Sequence, residues 1–482
     1  MKSRFVWNLV LVVILNLLIK PFYILGIDAE VINRVGDSVY GNYFALINFS
    51  FLLNIILDLG ITNYNVKNIA QHRQLLDKHF SGIITLRVVL ILMYLVATFL
   101  IAFFIGYDST QLKILLVLAF NQSLVAFILY IRSNLAGLHL FVEDSVVSIL
   151  DRFLLIIICS LLLWGGLFEQ PFQIEWFVYS QTVAYFITLL FSFMLVFRKT
   201  SNFQFKWNKT FAIVILKNSL PYALLIFLMT VYYRIDSVML ERMINDDSVQ
   251  AGIYAKAYRF FEASNMLAYL FAALLLPIFS RMLKLGECVH EMVNFSFKTL
   301  MAFALVISVF CCFFSYEIMD FRYSTYIMEA SSIFTILMIC FICVSSTYIY
   351  GTLLTANGNL FYLNLVAACG VVLNIVLNIV LIPHYYAFGS ALASLITQFL
   401  TGIAQILLCI YIFKFRFFNT MLRVSLFFLG LLIFTYCLKL IETNLYYKLF
   451  IYLSFSLLWI FVTRLMKISD FNMLIKNRFK IK

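Results

Sequence analysis

The chain has 482 residues, 64% of them hydrophobic and only 12% charged, with a formal net charge of +12 and a mean hydropathy of +0.99. No soluble fold hides that much apolar surface from water, so the composition excludes a water-soluble domain and points to a polytopic membrane protein. The apolar runs are continuous over about 20 residues, the length a helix needs to cross roughly 30 Å of hydrocarbon, and no alternating barrel pattern competes with them.

In chain order, polar breaks leave about fourteen candidate spanning helices. They are centred near Leu15, Ser50, Leu92, Ala126, Ile158, Thr188, Ile226, Leu267, Val306, Met338, Leu373, Phe399, Gly430 and Ser456. The expected fold class is therefore all-α and polytopic, one membrane domain with short loops. The start "MKSRFVWNLVLVVILNLLIKP" has a basic head and an apolar body without an A-x-A cleavage pattern, so it reads as a first span that is retained. Most of the 35 Lys and Arg fall in alternate loops, among them "NVKNIAQHRQLLDKHFSGIITLR", which ends on Arg87, "FRKTSNFQFKWNKT", "FKFRFFNTMLR" and the tail "MKISDFNMLIKNRFKIK". By the positive-inside rule these loops and both termini are cytoplasmic. That bias, with anionic headgroups, accounts for the +12 without any nucleic acid.

A charge within a span costs about 2.5 to 3.5 kcal/mol on insertion scales, so each one needs a reason. Lys20 lies deep in the first span, just before Pro21; its ammonium suits an anion in a cavity, or else snorkels to the outer interface. "YYRIDSVML" puts Arg234 and Asp236 at the outer end of the seventh span. "YAKAYRFFEAS" puts Lys256, Arg259 and Glu262, three residues apart in turn, on one face early in the eighth. These groups read either as a phosphate-binding set with a balancing carboxylate or as a structural salt-bridge cluster. Arg132 and Arg152 fall near the cytoplasmic ends of the fourth and fifth spans, where they would greet an anionic head or simply anchor topology. Asp58 begins the cytoplasmic exit of the second span and reads as a helix-end or interlobe contact.

Asp246 and Asp247 lie in a short external loop and read as turn chemistry rather than a metal pair. Nine cysteines, mostly within apolar runs, argue against a disulfide framework. Cys340 and Cys343 have metal-ligand spacing but no histidine near them in sequence, and read as apolar packing. No metal or cofactor site is expected. In "NIVLNIVLIPHYYAFGSALAS", Asn374 and Asn378 are one turn apart and should face the bundle; Pro383 ends that helix, His384 to Phe388 turn, and Gly389, Ser390, Ala393 and Ser394 offer the next helix a small packing surface.

"PFQIEWFVYSQTVAYFITLLFSFMLVFRK" from Pro171 and "PHYYAFGSALASLITQFLTGIAQILLCIYIFKFR" from Pro383 echo each other six spans apart, as parallel repeats in transporters do. Four segments also resemble the Wzx-like polysaccharide flippases of the multidrug/oligosaccharidyl-lipid/polysaccharide exporter superfamily. They are "VGDSVYGNYFALINFSFLLNIILDLGITNYNVKNIA", "NSLPYALLIFLMTVYYRIDSVML", "AGIYAKAYRFFEASNMLAYLFAALLLPIFSR" and the Asn374–Ser394 hairpin. In the third, Tyr254, Ala257, Arg259 and Glu262 fit the family's Y-x-x-A-x-R-x-x-E pattern.

The resemblance implies two six-helix lobes, 1–200 and 201–416, enclosing a cavity, with two further helices and a basic tail over 417–482. It implies a bacterial inner-membrane protein that makes and breaks no covalent bond. Such a protein moves polyprenyl (undecaprenyl)-pyrophosphate-linked oligosaccharides from the cytoplasmic to the periplasmic leaflet by alternating access, for O-antigen or another surface polysaccharide. Its partners would be that substrate, membrane lipids, and the polysaccharide polymerase and chain-length machinery. The alternatives are an ion-coupled multidrug or small-solute exporter of the same fold, and a membrane polymerase or acyltransferase. The first helix departs from multidrug relatives in lacking acidic residues in its body, which speaks against cation-coupled export. The short external loops and the isolated His384 speak against an enzyme.

Overall fold

The computed structural model describes residues 16, 18–62, 64–65, 69, 75–138, 140–166, 170–198, 208–246, 248–415 and 418–465. Every regular element among them is helical, because in hydrocarbon only a helix satisfies all its backbone groups within one segment. The first helix passes from residues 18–22 through a π-helical stretch, Tyr23–Asp28, into α1, Ala29–Val35. Then follow α2 (Asp37–Leu52), α3 (Ile55–Asp58), α4 (Leu75–Ile105), α5 (Ser109–Gly137), α6 (Phe141–Trp164), α7 (Ile174–Phe197) and α8 (Lys209–Met243). The remainder are α9 (Val249–Lys284), α10 (His290–Phe313), α11 (Ser315–Arg322), α12 (Ile327–Ala356), α13 (Leu360–Phe413), α14 (Phe418–Lys439) and α15 (Leu445–Val462).

Twelve described helices are long and apolar enough to cross a membrane. One of them, α13, carries two of the expected spans: its backbone leaves the helical region at Tyr386 (φ 53°, ψ −134°), inside the expected turn. Asn374 and Asn378 are fully buried on its first arm. There Asn378 donates to the Asn374 side-chain oxygen (3.2 Å) on the same arm and accepts from Ser390 Oγ (2.9 Å) on the other, so Asn378 joins the two arms of the hairpin. The expected span centred near Leu15 falls mostly outside the described residues.

The chain forms two compact units, Met1–Ala255 and Lys256–Lys482, a division later in the chain than the expected lobe boundary. In the first unit α7 packs on α5 and α6, and α2 packs on α5 and α8. The approach of α2 to the start of α9 is set by two glycines. A Cβ on Gly41 would stand 2.6 Å from the Gly252 nitrogen and would also strike the Ser248 carbonyl, while one on Gly252 would strike that of Asp37. The turn between α4 and α5 uses left-handed Gly106 (φ 85°) to leave one helix and Asp108 to start the next. The Asp108 carboxylate accepts from the Gln111 N–H (2.7 Å), and the Gln111 side chain accepts from that of Asp108 (3.1 Å). From the last turn of α8, Arg242 stacks 3.7 Å from the centre of the Tyr107 ring in that turn. Burial raises the Tyr107 phenol above its usual range, Glu241 adding to the shift and Arg242 opposing it.

In the second unit α12 packs on α10 and α13, and α14 on α10. Tyr452 of α15 closes this core by donating to the Val306 carbonyl (2.9 Å) beside Phe310.

Candidate functional site

The clearest concentration of charge inside the first unit lies where the first helix meets α6. Asn16 donates to Ser148 Oγ (3.4 Å), which fixes the phase of the two helices. One turn further along each helix stand Lys20 and Arg152, and three residues beyond Lys20 the Tyr23 ring lies 4.9 Å under the Arg152 guanidinium. Lys20 is thereby held against α6, half-buried, where the charges of Arg152, Asp151, Arg132 and Asp144 all act on its ammonium. Among the described residues it makes no hydrogen bond or ion pair.

The other members are positioned by neighbours. Arg152 donates to the Tyr185 hydroxyl (3.3 Å), stacks 5.9 Å from the centre of that ring, and lies 3.7 Å from Asp151. Arg132, near the end of α5, donates from Nε to Asp144 in the first turn of α6 (2.7 Å). Three cations and two carboxylates thus share one part of the unit, and the cation left over is Lys20. Chemically the arrangement can hold an anion: a strongly hydrated ammonium needs a counter-charge when half its water is removed, and two guanidiniums stand nearby to fork onto phosphate oxygens. The structure puts Lys20 within electrostatic reach of Arg132 and Arg152, although the sequence reading set Lys20 apart from the two arginines.

On the far side of Tyr23 the first helix carries a carboxylate that sequence reasoning did not count as part of it. Asp28 is fully buried and accepts from the Tyr40 hydroxyl (2.7 Å). The expectation that the body of this helix lacks acids fails because the helix does not stop where the apolar run does; it continues through polar residues to Val35. Tyr43, next to this pair on α2, accepts from the Gln181 amide of α7 (2.7 Å).

The remaining candidates are placed singly or in pairs. Arg234 donates to the Asn48 side-chain oxygen (3.1 Å) and covers the Phe51 ring at 4.7 Å. Asp236, 1% exposed, accepts from the Tyr254 hydroxyl (3.0 Å). In the second unit Lys256 is fully buried; it donates to the Thr325 carbonyl (2.8 Å) and hydroxyl (2.9 Å), with the rings of Tyr323 and Tyr326 around the ammonium. Arg259 pairs with Glu262 (2.7 Å). Asp246 accepts from the Gln250 N–H (2.9 Å) just before and within the first turn of α9, while Asp247 lies outside the described residues. No group of three metal-binding side chains occurs among the described residues.

Sequence reasoning missed Arg87, 1% exposed, which meets Asp58 at the exit of the second span; its place seven residues into the Phe80–Ile105 apolar run was the signal, obscured by counting it with the preceding basic loop.

Among the solved structures that share this fold, three illustrate the range. The lipid II flippase MurJ in an inward closed conformation aligns over 94% of this chain and 98% of its own, with a TM-score of 0.75 and 16% identity. An inward-facing multidrug resistance MATE family transporter of the MOP superfamily covers 85% of this chain and 94% of its own, at 0.63 and 14%. A point mutant of the Vibrio cholerae MATE transporter VcmN covers 82% and 92%, at 0.59 and 15%. No curated protein matches by sequence. The family model described as polysaccharide biosynthesis protein matches residues 30–283, more than half of the chain, and the chain belongs to that family.

Proposed function

We propose that this protein is a flippase that carries a polyprenyl (undecaprenyl)-pyrophosphate-linked oligosaccharide from the cytoplasmic to the periplasmic leaflet of a bacterial inner membrane, for O-antigen or another surface polysaccharide. The observation that carries the reading is Lys20, a half-buried ammonium with no described partner, held beside Arg132 and Arg152. Membership of a polysaccharide biosynthesis family supports a glycan cargo, and the fold shared with a lipid II flippase supports lipid-linked transport. In this reading the cations receive the diphosphate, both termini are cytoplasmic, and two six-helix lobes alternate their exposure with no bond made or broken. The polymerase and chain-length machinery would take the delivered unit.

One test is the location of the lipid-linked oligosaccharide in a strain that lacks this gene and any redundant flippase. Accumulation on the cytoplasmic face, relieved by the wild-type gene and not by Lys20→Gln, is the expected result; normal arrival of glycan at the outer leaflet overturns the reading.

A second reading, an ion-coupled exporter of small solutes, is favoured by one observation: the buried Asp28 carboxylate in the first helix. Efflux of cationic dyes that depends on a proton or sodium gradient and is lost in Asp28→Asn would support it over the flippase.

A further inference from the structure

The cationic site carries its own counter-ions. Arg132 is held by Asp144 through both carboxylate oxygens, Nε to Oδ1 at 2.7 Å and Nη2 to Oδ2 at 3.5 Å. Arg152 has Asp151 at 3.7 Å. Both acids belong to α6, the helix that also bears Arg152 and faces Lys20 through the Asn16–Ser148 contact. An anion arriving at Lys20 therefore meets two arginines that are already partly neutralised.

We propose that Asp144 and Asp151 are affinity-determining residues, internal competitors that weaken the hold of Arg132 and Arg152 on an anionic, diphosphate-bearing ligand enough for it to leave. The inference rests on reading Lys20 and the two arginines as the anion site. Three uncompensated cations in a poorly hydrated setting would bind a multiply charged anion too tightly for release, and a transport site has to bind firmly enough to load and weakly enough to unload. A carboxylate beside each guanidinium meets that need: it satisfies the arginine while the site is empty and repels the ligand's charge while the site is full. Lys20, without such a carboxylate among its described contacts, supplies the attraction that starts binding. A purely structural role differs in sign. As a clamp across the α5–α6 turn, Asp144 would only lend stability, and its loss would loosen the site and weaken binding.

The test uses the full-length protein in phosphatidylcholine nanodiscs with inorganic pyrophosphate as the probe, read by isothermal titration calorimetry. Asp144→Asn and Asp151→Asn are each expected to bind pyrophosphate about tenfold more tightly than wild type, as removal of one nearby like charge should do, and to export glycan more slowly in cells. Lys20→Gln is expected to bind more weakly. Wild-type protein that binds pyrophosphate while both aspartate variants bind it no more tightly overturns this inference and leaves the anion site standing. Wild-type protein that binds no pyrophosphate overturns both. Asp151 neighbours Arg152 on a single helix and its described bonds stay within that helix, so Asp151→Asn decides the matter alone where Asp144→Asn fails to insert.

Discussion

Arg87 holds the broken end of the second span by gripping Asp58. The guanidinium also donates to the Thr62 hydroxyl (2.9 Å), the Leu57 carbonyl (3.3 Å) and the Ala126 carbonyl (3.0 Å), while Asp58 accepts from the backbone and side chain of Thr62. One buried side chain thereby ties α3, α4, α5 and the turn after α3, where Leu59 and Gly60 have left the helix with positive φ. Arg87→Ala would leave Asp58 without its cation in a poorly solvated place, at a cost of about 3 to 5 kcal/mol. Thermal unfolding of the purified variant should show it, and Asp58→Asn on the Arg87→Met background should recover part of the loss.

The glycine contact between α2 and α9 admits no Cβ on either side, because what it would meet is backbone. Gly252→Ala should therefore destabilise by about 3 kcal/mol, at the upper end of overpacking costs. Its melting temperature should fall, whereas Gly358→Ala, at a position with nothing within reach, suffers only from its positive φ of 81°.

Lys20 separates charge from shape. Lys20→Arg should retain most glycan export, Lys20→Gln should lose it, and Lys20→Glu should abolish it at equal membrane abundance. Export by Lys20→Glu at the wild-type level would remove the anion site from the mechanism.

Lys256 tests the opposite expectation. Its ammonium is spent on the Thr325 carbonyl and hydroxyl at the α11–α12 junction, so Lys256→Met should cost about 1 to 3 kcal/mol by leaving those acceptors short of a donor. Unfolding of the detergent-solubilised protein measures it directly.

For Arg259, 9% exposed and paired with Glu262, Arg259→Ala should impair export while the protein still inserts. Normal export by a well-expressed variant would leave the pair a structural one.

The spans were legible because hydrocarbon demands long apolar runs, and that demand is written residue by residue along the chain. What escaped was whatever depends on two segments at once. Lys20 and Arg152 are far apart in sequence, and it is the packing of Asn16 on Ser148 and of Tyr23 under Arg152 that reveals their shared site. Arg87 looked like the last residue of a basic loop, since a sequence window cannot tell a snorkelling arginine from one roofed by Asp58 and two carbonyls. Asp28 was missed for a different reason: Ala29–Val35 is too polar to look like a span, yet it continues the helix that bears Lys20 and Tyr23.

The π-helical stretch Tyr23–Asp28 has a bearing on how this chain can vary. Up to its first residue, the helix is phased to α6 through Asn16 and Tyr23; at its end, Asp28 is phased to α2 through Tyr40. A wide turn absorbs the mismatch between those two alignments. Each residue added or removed between Tyr23 and Asp28 would rotate one half against the other by about 100°, so Lys20 and Asp28 cannot both keep their neighbours. The number of residues separating the cation from the acid is thus a fixed distance in the engineering sense: side chains within the stretch can be exchanged, but its length cannot.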